Sequence, residues 1–152
     1  MKSVYILLFL LFLNGCSSKN AFENFDMDKH QQLSAQSFKR IKLTKNEYVI
    51  GTFSSIYLND IYPDRYNNNE YFFVYVFLKD SNKEYEIKLN STESLKIKEL
   101  HYDNRFSRLV KDKSKWNRYY LISFQKTGDL LNLELYVDKS KLASIKYQKN
   151  TE

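Results

Sequence analysis

The chain has 152 residues, a formal net charge of +6, 43% hydrophobic and 16% aromatic residues, and only three glycines, one proline and one cysteine. So few glycines exclude collagen-like and linker-rich architectures and leave no way to write a glycine-rich phosphate loop, while a lone cysteine excludes a disulfide framework. The aromatic content favours a chain folded around packed rings over a disordered one, and the mild basic excess suits anionic surfaces such as lipid headgroups without being a nucleic-acid signature.

The N-terminus comes first. Lys2 supplies a positive charge, and Val4 to Leu13 forms an apolar run. That run is shorter than the roughly 20 residues a membrane span needs, and its layout is that of a secretory signal. Leu13 stands at −3 and the small Gly15 at −1 relative to Cys16, with Asn14 at −2. The segment Leu13-Asn14-Gly15-Cys16 resembles the lipobox of bacterial lipoproteins, a resemblance that covers residues 1–18. It implies cleavage between Gly15 and Cys16 and acyl chains on the Cys16 thiol. Several chains give firm attachment where one gives only marginal binding. Removing residues 1–15 leaves 137 of the 152 residues, the size of one ordinary domain, and losing Lys2 takes the net charge from +6 to +5. Ser17 after the cysteine resembles the sorting signal for an outer-membrane destination facing the periplasm.

Residues 16–38 read as lipidated cysteine and tether, with a short helix reaching toward Lys39. Residues 39–149 read as the folded domain. Tyr48 to Leu58 is a long strand interrupted by Gly51, which predicts a bulge or bend. Asp60 to Glu70, with Pro63 and Asn67-Asn68-Asn69, is a longer loop. Tyr71 to Leu78 is apolar on both faces and predicts a central strand, as does Tyr119 to Phe124. Asp80-Ser81-Asn82 and Thr127-Gly128-Asp129 read as tight hairpins. Asp138-Lys139-Ser140-Lys141 joins the last strand pair. Strict alternation marks Lys83–Asn90, with Tyr85, Ile87 and Leu89 on one face. It recurs at Leu130–Val137, with Leu131, Leu133, Leu135 and Val137 inward, at Leu95 and Ile97, and at Ala143, Ile145 and Tyr147. The pattern predicts a mainly β chain, an antiparallel β-sandwich of about eight strands. An immunoglobulin-like topology is the leading analogy and a barrel the runner-up.

Chemistry-bearing patterns are sparse. His30 and His101 are far apart, no H-x-x-x-H spacing occurs, and no metal or cofactor is expected. Asp60 and Asp64 suit turn capping better than calcium binding or acid–base work. The segment Asp103–Arg118 is the most suggestive. It carries Arg105, Arg108, Lys111, Lys113, Lys115 and Arg118 against Asp103 and Asp112, interleaved with Phe106, Leu109 and Trp116. Arginine with aromatics in a loop is a way to grip anionic groups or sugars, so these cations and Trp116 are the candidate anionic-ligand residues. The competing structural account is that Phe106, Leu109 and Trp116 pack down as a lid. The expected function is a lipid-anchored, non-enzymatic binding or structural module. It would meet the membrane through acyl chains on Cys16 and bind anionic envelope components or another envelope protein, not nucleic acid. The alternatives are an assembly subunit using an aromatic sheet face (Tyr71, Phe73, Tyr75 and Phe77, or Tyr119 to Phe124) and an enzyme with scattered residues near His101.

Overall fold

A strand points successive side chains to opposite faces, so a strand apolar on both faces needs a layer on each side. This requirement organises the molecule. The computed structural model describes residues 29–110 and 113–149. Helix α1 (Lys29–Ser37) precedes eight strands: β1 (Lys39–Lys45), β2 (Tyr48–Tyr57), β3 (Glu70–Leu78), β4 (Tyr85–Leu89), β5 (Lys96–Leu100), β6 (Arg118–Phe124), β7 (Leu130–Val137) and β8 (Ser140–Gln148). A single 3-10 turn, Ser107–Leu109, lies between β5 and β6.

The strands form a five-stranded sheet in the order β1-β2-β3-β6-β5 and a three-stranded sheet in the order β4-β7-β8. Every pairing is antiparallel. The predicted antiparallel β-sandwich is therefore the fold. Its strand order is not the immunoglobulin one. There the first two strands pair, and the third moves to the opposite sheet. Here the first three form one continuous meander, and the fourth is the first to cross.

Phe72, Val74 and Val76 of β3 and Tyr120, Ile122 and Phe124 of β6 face the three-stranded sheet. There they meet Ile87, Leu89, Leu131, Leu133, Leu135, Ile145 and Tyr147 in one buried cluster. The predicted central strands are central: β3 lies between β2 and β6, and β6 between β3 and β5. The predicted interruption at Gly51 is also present. The β1–β2 register shifts between Leu43 and Thr44, where Leu43 pairs with Gly51 and Thr44 with Val49. A Cβ on Gly51 would lie 2.1 Å from the Phe77 carbonyl oxygen, so only glycine lets β3 approach this closely.

Tight turns occur where both central residues reach positive φ. Asn46-Glu47 (49° and 68°) links β1 to β2, and Asp138-Lys139 (51° and 63°) links β7 to β8. These are the primed geometries that match strand twist. The two other predicted hairpins are corrected. Asp80-Ser81-Asn82 follows β3 of one sheet and leads to β4 of the other, and Thr127-Gly128-Asp129 likewise connects β6 to β7 across the sandwich. The alternation at Leu95 and Ile97 is also misleading, since they are 60% and 50% exposed. They belong to the edge of the five-stranded sheet, and three opposing strands do not cover five.

Candidate functional site

The outer face of the five-stranded sheet presents Ile56, Phe73, Tyr75 and Tyr119, all at most 1% exposed. They are covered by the chain itself. Leu58, Ile61 and Tyr66 of the β2–β3 loop and Phe106 and Leu109 of the β5–β6 segment join them in a second buried cluster, with Leu33 and Phe38 packed against it. Phe73 stacks on Tyr119 with centroids 6.0 Å apart, and Tyr75 on Tyr119 at 5.5 Å. This occupies the aromatic face that the assembly alternative requires. A partner there would have to displace α1 and both loops.

Short hydrogen bonds fasten this covering layer. Ser34 of α1 donates from Oγ to the Leu109 carbonyl (3.1 Å), and Gln31 Nε2 reaches the Arg108 carbonyl (3.5 Å). Ser37 Oγ accepts the Tyr57 N–H (3.1 Å) and donates back to its carbonyl (3.3 Å). His30 stacks on Tyr62 of the β2–β3 loop, centroids 4.7 Å apart. Asn59 closes that loop by donating to the Asn69 carbonyl and accepting the Tyr71 N–H. The Tyr119 hydroxyl both accepts the Ser114 N–H (2.9 Å) and donates to its carbonyl (3.0 Å), which fixes the chain just before Trp116.

The predicted cations divide between two places. Arg105, Arg108, Lys113 and Lys115 are exposed on the covering layer. Arg105 donates to the Tyr66 hydroxyl (2.8 Å) and lies over the Phe106 ring. Burial pushes the Tyr66 hydroxyl up, while Arg105 and Arg65 beside it pull it down. Lys113 pairs with Asp103 (3.2 Å), and Lys115 sits over the Tyr102 ring. Arg118 departs from the group. It shares the inner face of β6 with Tyr120, Ile122 and Phe124, so it points into the mouth between the sheets. There it forms a two-pronged pair with Glu99 (3.1 and 3.2 Å) and lies over the rings of Tyr85 and Tyr120. Gly15, Cys16 and Lys111 lie outside the described residues.

The lid account holds only in part. Phe106 and Leu109 are buried at 3% and 6%, but Trp116 is 82% exposed. The segment therefore also carries an exposed indole, next in the chain to the exposed Lys115. Sequence reasoning missed two neighbours of this surface, Lys29 at the start of α1 and Arg65 in the β2–β3 loop. Both are exposed, and both lie far from the 103–118 segment in the chain.

Two of the clefts among the described residues border the sandwich. One, about 450 Å³, opens between β4 and β5 and is lined by Tyr85, Ile87, Ile97, Arg118, Tyr120 and Tyr136 among others. Its tyrosines are bonded to each other (Tyr85 to Tyr120, 2.8 Å). Burial raises both hydroxyls. The second cleft, about 620 Å³, is lined by Leu33, Lys39, Asn59, Asp60 and Tyr147 among others. Burial and then the nearby Glu70 push the Asp60 carboxyl above the usual range. His101 lines neither cleft. It is exposed and accepts the Asp103 N–H at Nδ1 (3.3 Å). Among the described residues no group of three or more His, Cys, Asp or Glu is placed to hold a metal ion.

The two buried carboxylates are taken up by the chain itself. Glu70 accepts from the Tyr57 hydroxyl, the Thr127 N–H (3.1 Å) and the Lys149 ammonium (2.6 Å). Glu134 accepts from the Ser91 N–H and hydroxyl, the Asn132 amide, the Tyr136 hydroxyl and the Lys141 ammonium. Burial works to raise the Glu134 carboxyl, but Lys141 and Ser91 outweigh it and hold it below the usual range. Both sites tie strands and turns together. Compared with known protein families, curated proteins and solved structures, the chain matches none.

Proposed function

We propose that this chain is a lipid-anchored protein of the bacterial envelope, held by acyl chains on Cys16 at an outer membrane and facing the periplasm. Its β-sandwich serves as a non-enzymatic binding module for anionic envelope components. The anchor rests on the N-terminal residues alone. The binding role rests chiefly on Trp116, 82% exposed on a layer that also carries exposed Arg105, Arg108, Lys113 and Lys115. Tryptophan and arginine are the residue types that most often supply binding energy at protein surfaces. The two carboxylates buried among the described residues serve the fold. Glu70 and Glu134 are engaged by several donors each, and such saturated carboxylates hold structure together. His101 is exposed and lines neither of the two clefts described above.

The test has two parts. Mass spectrometry of the protein taken from bacterial membranes is expected to find Cys16 as an acylated N-terminus. Cys16→Ser is expected to move the chain out of the membrane fraction. A Cys16→Ser chain that fractionates as the parent does would sink the anchor. Binding to anionic envelope extracts that is unchanged in Arg108→Gln/Lys113→Gln/Lys115→Gln would sink the binding surface.

A further inference from the structure

We propose that the layer covering the outer face of the five-stranded sheet is the side that faces the anchoring membrane, and that it contacts the anionic lipid headgroups of that bilayer through Trp116 and the surrounding cations. The inference rests on the anchored reading and deepens it, because it names the ligand and the orientation.

Three observations converge. The first is where the described chain begins. Lys29 opens α1, thirteen residues after Cys16. A chain of that length spans at most about 45 Å, so the anchor cannot hold the domain further than that from the bilayer. Helix α1 is itself part of the covering layer, bonded through Gln31 and Ser34 to Arg108 and Leu109. The helix nearest Cys16 in the described chain thus belongs to the layer that carries the cationic segment.

The second is charge. Lys29, Arg65, Arg105, Arg108, Lys113 and Lys115 are exposed on this layer, against the exposed carboxylates Asp64 and Asp103. They come from three separate stretches of chain, which the fold gathers on one side. An anionic bilayer attracts such a surface with an energy that grows with each basic group near it and fades within a Debye length.

The third is Trp116. An indole is at home at the headgroup level, where its ring meets apolar matter and its N–H stays wet. The chain before it is held at Ser114 by the Tyr119 hydroxyl, and the backbone N–H of Trp116 donates to Ser114 Oγ (3.2 Å). The ring is thus presented from a fastened turn, and ordering it on contact costs little further entropy. Glycan strands would use the same arginines, but the thirteen-residue separation of α1 from Cys16 keeps this layer within reach of the bilayer and favours it.

Trp116 is the only tryptophan of the chain, so emission excited at the red edge, where its tyrosines do not absorb, reports on this surface alone. The full-length protein, expressed with its own leader and purified from membranes, is mixed with vesicles of phosphatidylglycerol or of phosphatidylcholine. Both sets carry brominated lipids as quenchers. The expected result is quenching and a blue shift several-fold stronger in the anionic vesicles, falling to the zwitterionic level at roughly 0.5 M salt. Arg108→Gln/Lys113→Gln/Lys115→Gln, with unchanged far-UV circular dichroism, is expected to lose most of the difference. Equal quenching in the two vesicle types, with protein floating with both, overturns the proposal and leaves the anchor standing. Protein purified from membranes that carries no acyl group on Cys16 overturns the anchor, and its quenching in anionic vesicles then upholds the surface alone. A spectral shift caused by soluble anionic glycan, with none on vesicles, overturns the proposal in favour of a glycan ligand.

Discussion

Glu70 opens β3 at 0% exposure and joins four parts of the chain: Tyr57 of β2, Thr127 before β7, Lys149 after β8, and its own strand. Replacing it with leucine keeps an apolar body but removes the acceptor from all three donors. The Lys149 ammonium, 19% exposed, then loses its counter-charge. Breaking a buried ion pair from one side costs about 3–5 kcal/mol. Lys149 keeps the Thr127 carbonyl at 2.6 Å and has a partial route to water, which argues for about 3. The Tyr57 hydroxyl, in a residue 3% exposed, is left without its acceptor, which adds about 1 kcal/mol. Glu70→Leu should therefore cost about 4 kcal/mol, a large share of the 5–15 typical of a domain. Lys149→Met should cost about 3, because it strands a carboxylate that retains two donors. The double replacement removes both charges together and should fall within about 2 kcal/mol of the parent. Urea unfolding followed by far-UV circular dichroism measures all three. Tryptophan emission suits the purpose poorly, because Trp116 is already exposed in the folded state. A Glu70→Leu cost under about 1 kcal/mol, or a double variant no better than the sum of the singles, would refute the reasoning.

Two further outcomes follow from the same structure. Gly51→Ala drives a methyl to 2.1 Å from the Phe77 carbonyl oxygen, so β2 and β3 must separate. The expected loss is about 3 kcal/mol, at the upper end for overpacking, and an alanine variant as stable as the parent would count against the close approach. Glu134 has a carboxyl held below its ordinary 4.5 in the folded state. Its stabilising contribution is complete above that value and is lost as pH falls through the folded one. Glu134→Gln should flatten the acid limb of stability as pH falls below 4.5, and an unaltered slope would show that other carboxylates set it.

The central strands could be read from sequence because Tyr71–Leu78 and Tyr119–Phe124 place large apolar groups on both faces, which one layer cannot bury. The inward faces of β4, β7 and β8 follow from alternation in the same way. The destination of each turn was hidden. A short polar turn such as Asp80-Ser81-Asn82 has the same chemistry whether the chain folds back within a sheet or crosses to the other. Leu95 and Ile97 were misread because alternation reports chemistry and not coverage. At the candidate site, composition located the cations and Trp116, but not which face each takes. Arg118 shares the inward face of Tyr120, Ile122 and Phe124, so alternation alone could have separated it from its neighbours. Lys29 and Arg65 join the surface only through the docking of α1 and the β2–β3 loop, which no local pattern encodes. Glu134 stands at an outward position of β7 and is nonetheless 2% exposed, because the turn after β4 folds over it.

The outermost strands bear on how many copies behave together. Among the described residues each sheet ends in strands with no further strand beside them: β1 and β5 in one, β4 and β8 in the other. Every one of them carries lysine: Lys39, Lys42 and Lys45 on β1, Lys96 and Lys98 on β5, Lys88 on β4, and Lys141 and Lys146 on β8. A second molecule zipping onto such an edge must strip water from these ammonium groups, which is how β-proteins discourage fibrous association. Much of the basic excess thus has an account that involves no ligand. It acts as a spacer between neighbours, and it weakens as salt shortens the reach of the charge.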